Sequence, residues 1–312
     1  MNNFKSLPQL LDHFKDEKTC IAFYEKLRWN GKLVCPFCKS EKKPYRTKRG
    51  FKCSDANCRK HFTVKVGSIF ENSKISFRIW FAAIYLCTNH KKGISSVQLA
   101  LDLNITQKTA WFVLHRVREM LKGEAPDMVG GENKIVEADA TFIGGKEKNK
   151  HYNKRVKRQY ENPLPTQGKK TVIGIIERNG KVILKHVPTE NESAMLPFIK
   201  KHVPEGARLI TDDHLAYKNL GKSFVHNTIN HTIKVYVSGD ISTNSIENFW
   251  SVLKRGLYGV YHGVSEKHLT RYLNEFAARF NTRRLGTEER FENFLVQSEH
   301  RLLYKNLIAK AA

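Results

Sequence analysis

The sequence predicts a multi-domain α/β protein, with two small N-terminal modules ahead of a mixed-sheet α/β domain. Three observations carry this reading. Four of six cysteines fall between positions 35 and 58. A helical pattern follows, broken at 124–132 by Pro126, Gly130 and Gly131. Beyond the break come strand runs and then strand–helix alternation, the order of a mixed sheet covered by helices. The 312 residues allow about two folded units plus a small one. Lys and Arg number 54 against 30 Asp and Glu, a net charge of +24 that needs an anionic partner, with nucleic acid first in line. A membrane surface is the rival, but no run of about 18 apolar residues exists. The start, Met1-Asn2-Asn3-Phe4-Lys5, has no apolar secretory core. A cytoplasmic chain without membrane association is expected.

Residues 1–30 read as an N-terminal helical segment and 31–68 as a metal-bound ribbon. Cys35, Cys38, Cys53 and Cys58 form C-x2-C-x14-C-x4-C, a spacing that suits tetrahedral Zn²⁺ better than disulfides in a reducing compartment. Between the pairs, Lys43 to Cys53 alternates and turns at Gly50, as a hairpin would. Four thiolates leave no open coordination position, so this zinc is structural. Cys20 and Cys87 read as buried thiols on apolar helix faces.

Residues 69–123 read as a helix-turn-helix. Ile75, Ile79, Phe81, Ala82, Tyr85 and Leu86 bury one helix face. A short helix then packs through Val97 and Leu101, Asn104 serves in the turn, and Thr106 caps a second helix from Gln107 to about Lys122. Trp111, Leu114, Val117 and Leu121 form its buried stripe, which leaves Gln107, Lys108, His115 and Arg118 for a DNA groove. A plain packing hairpin is the alternative.

Residues 130–285 read as the α/β domain: strands over Lys134–Phe142, Thr171–Glu177 and Lys181–Val187, a helix over Glu192–His202, a strand over Ala207–Asp212, then a long helical end. The insertion 146–170 carries nine basic residues against two acidic ones, and reads either as a solvated loop or as a clamp on the phosphate backbone. Alternation puts Glu137 and Asp139 on one strand face, and Asp212 ends an apolar strand at its carboxyl edge. On the helix after Ser242, Asn244, Glu247, Ser251, Lys254 and Tyr258 run along one edge of the apolar stripe. Each acid alone has a structural explanation: a solvent-side strand residue at Asp139, a helix cap at Asp212, a capping box for Asn244 with Glu247. Together, Asp139, Asp212 and Glu247 would suit two Mg²⁺ or Mn²⁺ ions acting on a phosphodiester. Asp213 is the fallback for the second position.

These residues resemble the zinc-ribbon DDE transposases of bacterial insertion sequences, insertion-sequence family 1595 or ISXO-like. The resemblance runs from Cys35 to about Arg284. It rests on Cys35-Pro36-Phe37-Cys38, Lys92-Gly93-Ile94-Ser95 with Lys108-Thr109-Ala110-Trp111, Asp139 with Thr141 to Lys146, Thr211-Asp212 with Ala216-Tyr217, and Thr243 to Glu247 through Trp250, Lys254 and Arg255. It implies a ribonuclease-H-like catalytic domain, Asp139, Asp212 and Glu247 as the metal-binding triad, and Lys254 as the basic residue seven positions after the Glu. Some relatives use Asn as third ligand, so the resemblance also lets Asn244 share or replace the role of Glu247, and with Arg255 it is expected to face DNA. The implied partners are double-stranded DNA, both the element's terminal inverted repeats and its target, and at least a second copy of the chain. A DNA-binding regulator, a catalytically silent relic and a nuclease without strand transfer remain alternatives. The tail, 286–312, has helical periodicity and could dock on its own chain or on a second subunit.

Overall fold

The computed structural model describes residues 4–145, 151, 168–229, 240–299 and 301–309. All of the basic insertion except His151 and residues 168–170 therefore lies outside the described residues. The chain divides into two compact units, Met1–Gly123 with Thr282–Ala312, and Glu124–Asn281.

The first unit holds helices α1 (Leu7–His13), α2 (Glu17–Trp29), α3 (Phe77–Asn89), α4 (Ser96–Leu103) and α5 (Gln107–Met120). Strands β1 (Tyr45–Thr47), β2 (Gly50–Lys52) and β3 (His61–Phe62) lie between α2 and α3 and form an antiparallel sheet in that order. The starts of these five helices are written in the sequence. Ser6, Asp16, Ser76, Ser95 and Thr106 each accept a hydrogen bond from the backbone N–H three residues on, satisfying a donor the helix cannot. Asn104 ends α4 in the left-handed conformation, with φ 49°.

Two expectations for this unit are corrected. Val97 and Leu101 are exposed, and α4 instead buries Leu99 and Ala100 against α3 and α5. With five of its eight residues apolar, α4 offers two stripes, and periodicity alone could not choose between them. His115 and Arg118 do not face a groove: they are 0% and 1% exposed. Val113 to Arg118 are all buried, and six consecutive residues cover the whole circumference of a helix. The second half of α5 therefore has no solvent face, and a wheel that assumed one assigned it to the polar side chains. Gln107 and Lys108, in the first turn, are exposed.

The second unit contains β4 (Ile135–Ile143), β5 (Lys170–Glu177), β6 (Val182–Val187), α6 (Glu192–His202), β7 (Arg208–Asp212), β8 (Val225–Ile229), α7 (Asn244–Gly259) and α8 (Glu266–Asn281). Its sheet has the order β6-β5-β4-β7-β8. β6, β5 and β4 are antiparallel neighbours, whereas β4–β7 and β7–β8 are parallel. Alternation divides the strand side chains between two cores. Val136, Ala138, Ile173, Ile175 and Leu209 pack with Met195, Phe198 and Ile199 of α6. Val172, Ile176 and Val182 pack with Ile246, Trp250 and Leu253 of α7 and Leu273 and Phe276 of α8. The edge strand β8 was not anticipated; of its five residues only Ile229 is buried, so its sequence lacks an alternating apolar signature.

The chain ends with α9 (Thr287–Val296) and α10 (Tyr304–Ile308). Phe291 of α9 sets its ring against Phe4, Phe14 and Phe81 at centroid distances of 5.4, 6.1 and 5.3 Å, so the end of the chain completes the core of the first unit. Among the described residues no helix is long and apolar enough to cross a membrane.

Candidate functional site

Two constellations carry chemistry, one in each unit. In the first, the Sγ atoms of Cys35, Cys38, Cys53 and Cys58 lie within 4.8 Å of one another. Two similar turns make this possible. Lys39 and Arg59 adopt left-handed φ values of 58° and 46°, and their N–H groups close back on Cys35 O and Asp55 O. The Cys35–Cys58 and Cys38–Cys53 sulfur separations are 3.9 and 3.6 Å. A tetrahedron with Zn–S bonds of about 2.3 Å has edges of about 3.8 Å, so the four thiols fit a structural zinc. Phe51, Phe62 and Trp29 pack ring to ring beneath the cluster.

The second constellation lies at the carboxyl edge of β7. β4 pairs with β7 in parallel, Glu137 opposite Ile210. Two residues further along each strand stand Asp139 and Asp212, level with each other and turned by alternation to the face that α7 covers. Asp139 is nearly buried. Its Oδ1 accepts the Ala140 N–H at 2.8 Å and its Oδ2 accepts Trp250 Nε1–H at 2.9 Å. Burial first, and then the charge of Asp212, raise its carboxyl from 3.8 to about 7, against the lowering effect of those two donors. Asp212 is half-buried, whereas Asp213 is exposed in the bend beyond.

The indole fits because the residue opposite Asp139 on β5 is Gly174. A Cβ there would come within 2.6 and 2.8 Å of Trp250 Cη2 and Cζ2. Glu137, 0% exposed, fixes the start of α7: it accepts from Ile246 N at 3.0 Å and from Ser245 Oγ at 3.0 Å, and pairs with Arg178 Nε at 2.6 Å. Arg178 also donates to Asp240 O and Ser242 O, tying down the segment that leads into the helix. Thr243, not Asn244, is the N-cap residue. Its hydroxyl donates to Glu247 Oε1 at 2.7 Å, so the anticipated Asn244–Glu247 capping box does not form.

The orientation of α7 follows from its neighbours. Trp250 points at the sheet, and Phe249 meets Phe280 of α8 on one flank at 5.3 Å. Asn244, Glu247, Ser251, Lys254 and Tyr258 therefore lie on the opposite flank, since successive helix residues turn by about 100°. Lys254 is partly buried; burial lowers its pKa while the charge of Asp139 opposes that. Tyr258 Oη accepts Gly144 N–H at 3.0 Å at the far end of β4. Asn244, Glu247 and Arg255 are exposed. The structure thus brings Asp139, Asp212 and Lys254 into electrostatic contact and sets Glu247 on the adjoining helix flank. Among the described residues, only the cysteines gather three or more ligand atoms within 4.8 Å. Sequence reasoning missed the roles of Glu137, Arg178 and Trp250. The signal was an indole N–H on an apolar helix stripe and two carboxylates sharing one strand face, each of which needs a partner when buried.

Comparison with known proteins bears on both constellations. Residues 128–281 match the ISXO2-like transposase domain of the IS1595 group, and residues 15–61 match its transposase zinc-ribbon domain. An uncharacterized transposase-like protein of Haemophilus influenzae is 31% identical over 109 residues, 35% of this chain and 87% of that protein. The chain belongs to the ISXO2-like family of DDE transposases. An uncharacterized protein in transposable element ISH50 of Halobacterium salinarum is 25% identical to the transposase over 296 residues, 90% of this chain and 97% of that one. The crystal structure of the Mos1 Strand Transfer Complex aligns with 72% of this chain and 78% of its own at 13% identity and a TM-score of 0.28, a likeness too distant to bear on function. The transposase is thus a multi-domain α/β protein with a zinc ribbon ahead of a mixed-sheet α/β domain. The family match to the second unit takes in Asp139, Asp212, Glu247 and Lys254.

Proposed function

We propose that this transposase cuts DNA at the ends of its insertion sequence and joins the freed ends to target DNA, using two Mg²⁺ or Mn²⁺ ions held by Asp139, Asp212 and Glu247. The observation that carries this reading is the Asp139–Asp212 pair. Two carboxylates side by side, one nearly buried and raised to about 7, repel each other in a way that a hard divalent cation relieves. The donor set fits such ions, because it consists of carboxylate oxygens at a sheet edge with a flank open to solvent. When bound, the ions supply an activated water and neutralise charge on the attacking and leaving oxygens of an in-line displacement.

The chain's own residues do the rest. Trp250 and the Ala140 N–H hold the Asp139 carboxylate in one orientation. Lys254, drawn toward Asp139, offers an ammonium to a phosphate entering the site, and the exposed Arg255 and Asn244 extend that grip along the helix. Gln107 and Lys108, with the zinc-held ribbon, read the element ends. Pairing two ends before joining requires at least two copies of the chain on DNA. The substrate is chromosomal, which locates the protein in the cytoplasm on the nucleoid.

The test is incubation with Mg²⁺ and DNA bearing the inverted repeats that flank the gene. Nicks at the repeat tips and joined products are expected from the wild type, and neither from Asp139→Ala, Asp212→Ala or Glu247→Gln. Cutting that survives those substitutions refutes the assigned site, and cutting without joining reduces the protein to a nuclease.

A further inference from the structure

Three groups beside Asp212 are left unused by this reading. Glu190 lies in the loop between β6 and α6 with its side chain 13% exposed, and its Oε1 is 3.7 Å from His214 Nδ1. The backbone N–H of His214 donates to Asp212 Oδ1 at 3.3 Å, so a single residue links the two carboxylates. Tyr217 closes the short 3₁₀ turn Leu215–Tyr217 and is 1% exposed, and its hydroxyl has no hydrogen-bond partner among the described residues. A buried hydroxyl left so costs about 1–3 kcal/mol, and such groups are rare in folded proteins.

The hydroxyl stands within electrostatic reach of the acids. Burial, then the charges of Asp139, Asp212 and Glu190, push the Tyr217 phenol well above its usual range. Glu190 is itself raised by burial and by Asp212, with His214 opposing, and it adds to the rise at Asp139. A Glu190–His214 ion pair would account for Glu190 by itself. It leaves unexplained why a third acid, and a phenol of the α6 core with no partner among the described residues, stand within electrostatic reach of Asp139 and Asp212.

We propose that Glu190 is a fourth carboxylate of the divalent-cation site, on the side of Asp212, and that the Tyr217 hydroxyl is a positioning donor to oxygen bound there. The inference rests on the metal reading of Asp139 and Asp212. It differs from that reading in drawing a ligand from the loop between β6 and α6.

The experiment is a Mn²⁺ titration of the full-length, zinc-loaded protein without DNA, following the paramagnetic resonance signal of free Mn²⁺. Asp139→Ala is expected to abolish tight binding. Glu190→Gln is expected to weaken it at least tenfold and Tyr217→Phe about tenfold, in the range seen for groups around metal ligands. His214→Gln is expected to leave it unchanged. If Asp139→Ala loses Mn²⁺ while Glu190→Gln and Tyr217→Phe bind it as the wild type does, this proposal fails and the metal reading stands. If Asp139→Ala binds like the wild type, the metal reading fails as well. Weakening by His214→Gln equal to that of Glu190→Gln also overturns the proposal, since the ion pair would then be the active element. Should Glu190→Gln fail to fold in thermal melts, Tyr217→Phe, which removes a single oxygen, decides alone.

Discussion

Replacing Asp139 by Asn should abolish strand cleavage and yet stabilise the protein in the absence of Mg²⁺. The carboxyl of Asp139 sits at 3.8 in the unfolded chain and at about 7 in the folded one. The folded state therefore binds this proton more tightly, and the group's contribution to stability falls as pH rises from about 4 to about 7. Above that window the cost of holding the charged form approaches at most about 4 kcal/mol. A neutral amide escapes it. The amide has one carbonyl oxygen, however, and the native carboxylate serves two donors, Ala140 N–H and Trp250 Nε1–H. Leaving one buried donor unserved returns about 1–3 kcal/mol. The expected net gain is about 1–3 kcal/mol at pH 8, and about 2–4 °C in melting temperature for each kcal/mol in a unit of this size. At pH 5 the gain should vanish or reverse, because the wild-type carboxyl is already protonated. Thermal melts of the zinc-loaded, Mg²⁺-free protein at both pH values measure this. A variant no more stable than wild type at pH 8, or one whose advantage does not depend on pH, would falsify the claim that Asp139 is an uncompensated buried acid.

Three further outcomes follow from the same geometry. Gly174→Ala puts a methyl 2.6 Å from the Trp250 ring, so the indole must shift off Asp139; about 1–3 kcal/mol of stability should be lost, together with most cleavage, and altered indole fluorescence reports the displacement. Arg178→Ala strips the cation from Glu137, which is 0% exposed, and should cost about 3–5 kcal/mol in denaturant unfolding, with Arg178→Lys recovering part of it. Cys53→Ser should release the metal from the ribbon, read as zinc content near zero and protease cuts within residues 31–68, because the small Phe51–Phe62 core cannot hold those strands alone.

What the sequence disclosed follows from how local each determinant is. The cysteine pairs, the cap Thr106, and the strands holding Asp139 and Asp212 all announce themselves within a few residues. The misplacement of His115 and Arg118 has the opposite cause, for the number of neighbours that surround α5 is not a property of its own period. β8 escaped notice because an edge strand buries so little that no apolar alternation is required of it. Arg178 lies 41 residues from Glu137, and nothing local pairs them. Trp250 was read as core, correctly for its ring, while its N–H bond to Asp139 depends on a glycine across the sheet.

Glu137 and Asp139 show why the site stands where it does. Both are carboxylates on one strand, two residues apart, turned to the same face beneath the same helix. Glu137 meets a guanidinium, a hydroxyl and the Ile246 N–H in the first turn of α7, where the helix dipole also favours negative charge. Its charge is answered within the chain, and it serves as a rivet. Asp139 meets one indole N–H, one backbone N–H and, instead of a cation, the charge of Asp212. Lys254 is within electrostatic reach, but burial holds its own charged form back. Changing Arg178 should therefore harm folding first and chemistry second. Changing Asp139 should do the reverse, because on the proposed reading its partner is a divalent cation.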